Sequence, residues 1–184
     1  MATLLVPPPD RKPWPTLGPD VCAFIEDVGV YGPGDLKGQQ YRITPDFRAQ
    51  LYRAYEVYPR GHRLAGRRRF KRVAFEERKG TAKTERAMEI AIAESHPDAP
   101  VRFDGWRRAG KEYVPVGRPL VSPYIPLVSY TVEQTEDLSF FVLRAILEES
   151  PIVDDYDIGL DRILVLDHRR RPAGKIVPLA GSPN

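Results

Sequence analysis

Residues Phe70–His96 read FKRVAFEERKGTAKTERAMEIAIAESH, and the spacing of their apolar residues changes midway. Phe70 to Phe75 carries strand formers and runs into a loop containing Gly80. From Lys83 onward the period is helical, which predicts Ala87, Ile90, Ala91 and Glu94 along one side, and Pro97 ends the run. The predicted order is strand, loop, helix.

Working outward, the upstream segments are helical. Thr44 and Pro45 open a helix as cap and first helical residue, with Phe47, Leu51, Ala54, Tyr55 and Tyr58 at helical spacing. Before it, Asp20 caps a short helix whose buried stripe is Val21, Phe24, Ile25 and Val28, with Cys22 on the apolar face. The stretch YGPGDLKGQQ between them is a loop. Residues 1–18 are proline-rich and predict an extended arm. Residues 19–184 form the one remaining unit.

Downstream, Val101 to Tyr113 predicts a short hairpin or loop turning at Ala109–Gly110. Tyr124 to Tyr130 predicts a buried strand. Thr131 and Gln134 make a capping box for a helix that places Leu138, Phe141, Val142, Ala145 and Ile146 on one face. Residues 161–181, DRILVLDHRRRPAGKIVPLAG, predict two strands joined by a basic turn. Strands alternating with helices predict an α/β fold with a mainly parallel sheet, plus a β-hairpin near the C-terminus.

Composition sets limits on function. The chain has 184 residues, 42% of them hydrophobic, which is enough to bury a core. Its net charge is only +3, but Lys and Arg concentrate between Arg60 and Lys83. A single cysteine excludes an internal disulfide framework. The apolar run at the N-terminus is far too short for a signal peptide or a membrane span. A cytoplasmic protein with no membrane partner is the simplest reading.

The chemistry lies in Arg78-Lys79-Gly80-Thr81-Ala82-Lys83-Thr84. A phosphate-binding loop reads G-x-x-x-x-G-K-S/T between a strand and a helix. Lys83 and Thr84 fill its last two places, while Glu77 and Ala82 stand where glycines would. In such a loop backbone N–H groups and the helix N-terminus face the phosphates. Lys83 would reach the β- and γ-phosphates, the Thr84 hydroxyl would ligate Mg2+, and Arg78 and Lys79 would add positive charge. Ala82 fits this role only at negative φ. The same residues also describe a basic turn that leads into an ordinary helix.

The stretch RKGTAKTE, the upstream ITPDFRAQLYRAYEVYP and the downstream SPYIPLVSYTVEQTEDLSF together resemble the large terminase subunit of tailed bacteriophages, above all the actinobacteriophage type. The resemblance runs from about Trp14 to the chain end. It implies the N-terminal portion of a P-loop ATPase domain, with a P-loop NTPase-like three-layer fold that is incomplete here, and with the nuclease domain absent. It implies ATP and Mg2+ as cofactors, with Arg78 to Thr84 as the nucleotide-binding segment. The adenine region lies before the first strand, where Gln40 and Phe47 are candidates. The implied partners are double-stranded DNA, the portal protein, the small terminase subunit and further copies of the chain, in the cytoplasm of an infected bacterial host. Arg67, Arg68, Arg69, Lys71 and Arg72 are candidate DNA-phosphate contacts, and a charge-protected edge strand would explain them as well.

Ile163-Leu-Val-Leu-Asp167 has the form of a second ATPase motif, four apolar residues and a magnesium-binding aspartate. The next residue is His168 and not a glutamate, and Arg169–Pro172 describes a turn, so Asp167 is read as the start of a hairpin. The catalytic residues are therefore unassigned, and sustained turnover by this chain alone is not expected. Two other readings stay open. One is another phosphate-loop ATPase, helicase-like or a kinase. The other is a truncated, non-catalytic protein that binds nucleotide or neighbouring subunits.

Overall fold

In the computed structural model, residues 13–78, 80–129 and 135–180 are described, without the side chains of 135–137 and 180. Residues 1–12 of the expected arm, Lys79, and the Thr131–Gln134 capping box lie outside the described residues.

The first helix, α1 (Gly18–Val28), begins two residues before the expected cap. Leu17 and not Asp20 is the N-cap and has no side-chain capping bond; just before it, the Thr16 hydroxyl accepts the Gly18 N–H at 2.9 Å and donates to the Tyr52 carbonyl at 2.6 Å. Helix α2 (Pro45–Ala54) opens as the sequence predicts, with Pro45 in the first turn and Thr44 Oγ1 accepting from the Phe47 N–H. Val21, Cys22 and Ile25 of α1 pack against Phe47 and Leu51 of α2 and against Tyr55, Val57 and Val101, forming a first core. Burial pushes the Cys22 thiol up to about 11, so it behaves as a small apolar residue.

Helix α3 (Lys83–Ser95) starts where expected but turns a different face inward. Met88, Glu89, Ala91 and Ile92 are buried, whereas Ala87 is exposed. Hairpin β1 (Arg102–Ala109) and β2 (Glu112–Arg118) follows, turning through Gly110 at φ +63°. Strand β3 (Tyr124–Ser129) leads to a π-helical turn (Thr135–Phe140) that runs into α4 (Phe141–Glu149). Three strands close the described chain: β4 (Tyr156–Ile158), β5 (Ile163–Leu166) and β6 (Pro172–Ala180).

The larger sheet has the order β3-β6-β5-β4 and is mixed, which corrects the expectation of a mainly parallel sheet. Connection length is the reason. The short links β4–β5 and β5–β6 can only return antiparallel, and only the long excursion from β3 to β6 lets those two lie parallel. Leu127, Ile163, Val165 and Ile176 point from this sheet toward Met88 and Ile92 of α3 and Leu143, Ile146 and Leu147 of α4, forming a second core. The opposite side of β3 is open, with Tyr124 and Val128 more than half exposed, so the run 124–130 is only partly the buried strand that was expected.

The strand expected at Phe70–Phe75 is absent. Residues 72–78 carry no regular secondary structure and pair with no strand among the described residues, and Val73 and Phe75 are exposed. Strand propensity without a neighbouring edge to bond to does not produce a strand. Among the described residues no helix is long and apolar enough to cross a membrane.

Candidate functional site

The N-terminal half of α3, the start of α2 and the irregular segment 75–77 line a cleft of about 490 Å3. Lys83, Thr84 and Arg86 line it from α3, and Phe47 from α2, with Phe75 and Glu77 between them. Phe47 and Phe75 meet edge to face with centroids 6.2 Å apart. The cleft therefore has an aromatic end and a charged end, a division that suits a ligand with a flat ring and an anionic tail.

At the charged end the loop is folded around its own groups. Lys83 Nζ donates to the Glu77 carbonyl at 3.0 Å and to the Arg78 carbonyl at 3.4 Å. Thr81 Oγ1 lies 2.9 Å from the Glu77 carboxylate and 2.8 Å from the Arg78 carbonyl, two acceptors that share its single hydrogen. Glu77 stands where a phosphate loop has its first glycine, and a bare carboxylate there would repel an anion. It is not bare: Arg86 forms an ion pair with it, while the same guanidinium donates to Thr44 Oγ1 at 3.2 Å and lies over the Phe47 ring. The carboxylate is thereby neutralised, and the exposed Lys83 ammonium is left as net positive charge at the helix N-terminus.

Gly80 at φ +86° and Ala82 at φ +55° both adopt left-handed backbone. The negative φ expected at Ala82 is not observed; the tight entry into α3 needs a reversal of hand there. Arg78 is exposed. A second, smaller cleft touches the other side of the same helix start, sharing Lys83 and Thr84 and adding Gly80, Ala82 and Glu85.

The remaining candidates are dispersed. Gln40 donates to the Glu26 carbonyl at 2.9 Å and accepts from Arg42 at 2.7 Å, and it does not line the cleft. Arg68 pairs with Glu94 at 2.5 Å and lies over the Tyr55 ring, and Arg69 pairs with Glu56 at 2.8 Å and lies over Trp14. Those two arginines tie segments of the fold together, whereas Arg67, Lys71 and Arg72 are exposed.

Asp167 sits in the β5–β6 turn. Its carboxylate accepts from the N–H groups of Arg169 (2.8 Å) and Arg171 (3.0 Å) and from the Arg171 guanidinium at 3.0 and 2.8 Å. These bonds, the Arg171 side chain first, hold its carboxyl down at about 2. Among the described residues no group of three or more His, Cys, Asp or Glu side chains is arranged to hold a metal ion.

Arg86, Phe75 and Ser139 were missed by reading the sequence. Arg86 had a usable signal, because it lies three residues after Lys83 and so shares its helix face. Ser139 reaches the cleft through tertiary packing alone and had none. No family model matches this sequence, and neither a curated protein nor a solved structure matches it.

Proposed function

We propose that this chain binds a nucleoside triphosphate, ATP by its resemblance to large terminase subunits, in the cleft between α2 and α3, as the N-terminal part of a DNA-packaging ATPase. The observation that carries the reading is that Phe47, far away in sequence, lines the same cleft as Lys83 and Thr84. The triphosphate would lie at the start of α3, where the helix dipole and Lys83 favour negative charge, and the base would lie toward Phe47 and Phe75. When bound, Mg2+ would offset phosphate charge, with the Thr84 hydroxyl as one protein ligand; this ion commonly takes its other ligands from phosphates and water. The incomplete P-loop fold, double-stranded DNA, the portal and small-subunit partners, assembly with further copies and residence in the host cytoplasm all follow from the same resemblance and are proposed with it.

Asp167 favours a binding role for this segment over complete catalysis. Its carboxylate is committed to Arg171 and to turn amides, and is not held ready for a metal. Sustained phosphate release by the purified chain is therefore not expected. The decisive experiment is calorimetry with Mg-ATP. Wild type should bind, and Lys83→Ala should lose roughly tenfold or more in affinity, because a charge-assisted contact to phosphate is removed. Equal affinity of the two proteins would reduce the segment to a basic turn before a helix.

A further inference from the structure

A third groove, of about 480 Å3, shares no lining residue with the α2–α3 cleft and runs between residues 13–20 and the β1–β2 hairpin. Trp14 forms one wall, and Tyr113 and Pro115 the other. Both rings are held in place before any ligand arrives. Trp14 meets Tyr58 edge to face at 5.5 Å and carries the Arg69 guanidinium 4.0 Å from its centroid; Arg60 lies 3.9 Å from the centroid of Tyr113. Fixed rings lose little freedom on binding. Among the described residues neither the Trp14 indole N–H nor the Tyr113 hydroxyl has a hydrogen-bond partner, and Tyr113 is 42% exposed. Rigid aromatic walls with free donors suit a polyproline II segment, whose rings pack on aromatic faces and whose carbonyls stay available.

The rim narrows the choice of occupant. Asp20, Glu112 and Arg107 border the groove, and none of them has an ion-pair partner among the described residues. A matching ligand is proline-rich and carries two positive charges and one negative. The chain's own sequence contains such a segment, Pro7-Pro8-Pro9-Asp10-Arg11-Lys12. Lys12 is bonded to Pro13, itself part of the wall, so occupancy by the same molecule is the competing outcome, and it leaves the chain monomeric. We propose that Pro7–Lys12 of a neighbouring copy occupies this groove, linking copies of the chain through exchanged N-terminal segments.

Sedimentation of the full chain across a concentration series tests this. Wild type should self-associate as concentration rises. The pair Asp20→Lys with Glu112→Lys should weaken association about tenfold or more, since rim charge is reversed at two positions. The pair Arg11→Glu with Lys12→Glu should do the same, and all four changes together should restore association. Replacing Pro7, Pro8 and Pro9 by Ser leaves the groove intact and should weaken association as well. Lys83→Ala should have no effect, which separates this inference from the nucleotide reading. A wild type that stays monomeric throughout, groove variants that associate normally, or a fourfold variant no better than either pair would each overturn the proposal.

Discussion

Ala82 adopts φ +55° and ψ +36°, a conformation that costs a residue with a Cβ about 1 kcal/mol or more. Glycine escapes that cost but loses more freedom on folding, so the two effects partly cancel. Ala82→Gly should therefore stabilise the chain by about 0.5–1 kcal/mol, raising the Tm by roughly 1–4 °C. Thermal unfolding measures it, and a lowered Tm would show that the methyl group is needed for packing. Glu89 presents a different problem. It is fully buried, neither carboxylate oxygen has a hydrogen-bond partner among the described residues, and a Cβ on Gly29 would lie 2.8 Å from one of them. Burial first, and Glu85 second, push its pKa well above 4.5. The folded state thus holds a proton that the unfolded chain releases above about 4.5. Stability from this group is complete below that pH and is lost as pH rises through the folded value. Glu89→Gln should accordingly stabilise the protein at pH 7.5 relative to wild type, with the gap closing by pH 4. Urea unfolding at the two pH values reads this directly.

The π-helical turn Thr135–Phe140 explains the main error in reading helices from the sequence. A regular α period put Leu138, Phe141, Val142, Ala145 and Ile146 on the buried face. In the structure Ala145 and Ile146 are buried and Val142 packs on the core as expected, but Leu138 is 60% and Phe141 53% exposed, and Phe140, Leu143 and Leu147 take the core positions instead. Bonding to the fifth residue in place of the fourth slips the phase by about one residue, and nothing in an apolar pattern announces it. Phe140→Ala should cost about 3–5 kcal/mol, and Leu138→Ser less than about 0.5 kcal/mol. Chemical denaturation that ranked them the other way would restore the uninterrupted helix. Signals carried by local chemistry were legible: Thr44 and Pro45 start α2, Lys83 starts α3, and Gly110 and Asp167 mark the turns of the two hairpins. The missing strand before the loop, the inward face of α3 and the roles of Arg86 and Ser139 depend on partners distant in sequence, which composition and period do not encode. Of the residues lining the α2–α3 cleft, Lys83, Thr84 and Phe47 were therefore named as site residues from the sequence, while Phe75, Arg86 and Ser139 were not.

Helix α3 joins the two cores, Ala93 lying in the first and Met88, Ala91 and Ile92 in the second. The α2–α3 cleft opens along that seam, between Phe47 of the first core and Ser139, adjacent to Phe140 of the second. Across the whole surface the basic segment divides by role. On the proposed DNA partnership, changing Arg67, Lys71 and Arg72 together to Ala should leave stability unchanged and weaken duplex binding equally for unrelated sequences. The slope of log affinity against log salt should fall by about 2–3, the counterions released at three phosphates. Arg68→Ala should instead lower stability, since the Glu94 and Tyr55 contacts lie inside the fold. Titrations of two duplexes at several salt concentrations test the first, and unfolding midpoints the second. The parallel pairing of β3 with β6 has a consequence for biosynthesis. Tyr124 pairs in register with Lys175, about fifty residues later, so β3 leaves the ribosome well before β6, its one neighbouring strand among the described residues, exists. At roughly 5–20 residues per second it waits for several seconds with its edge unsatisfied. Pro126, in the middle of that strand, lacks an N–H and so removes one donor from one of the two edges that are open to a foreign strand in the interval.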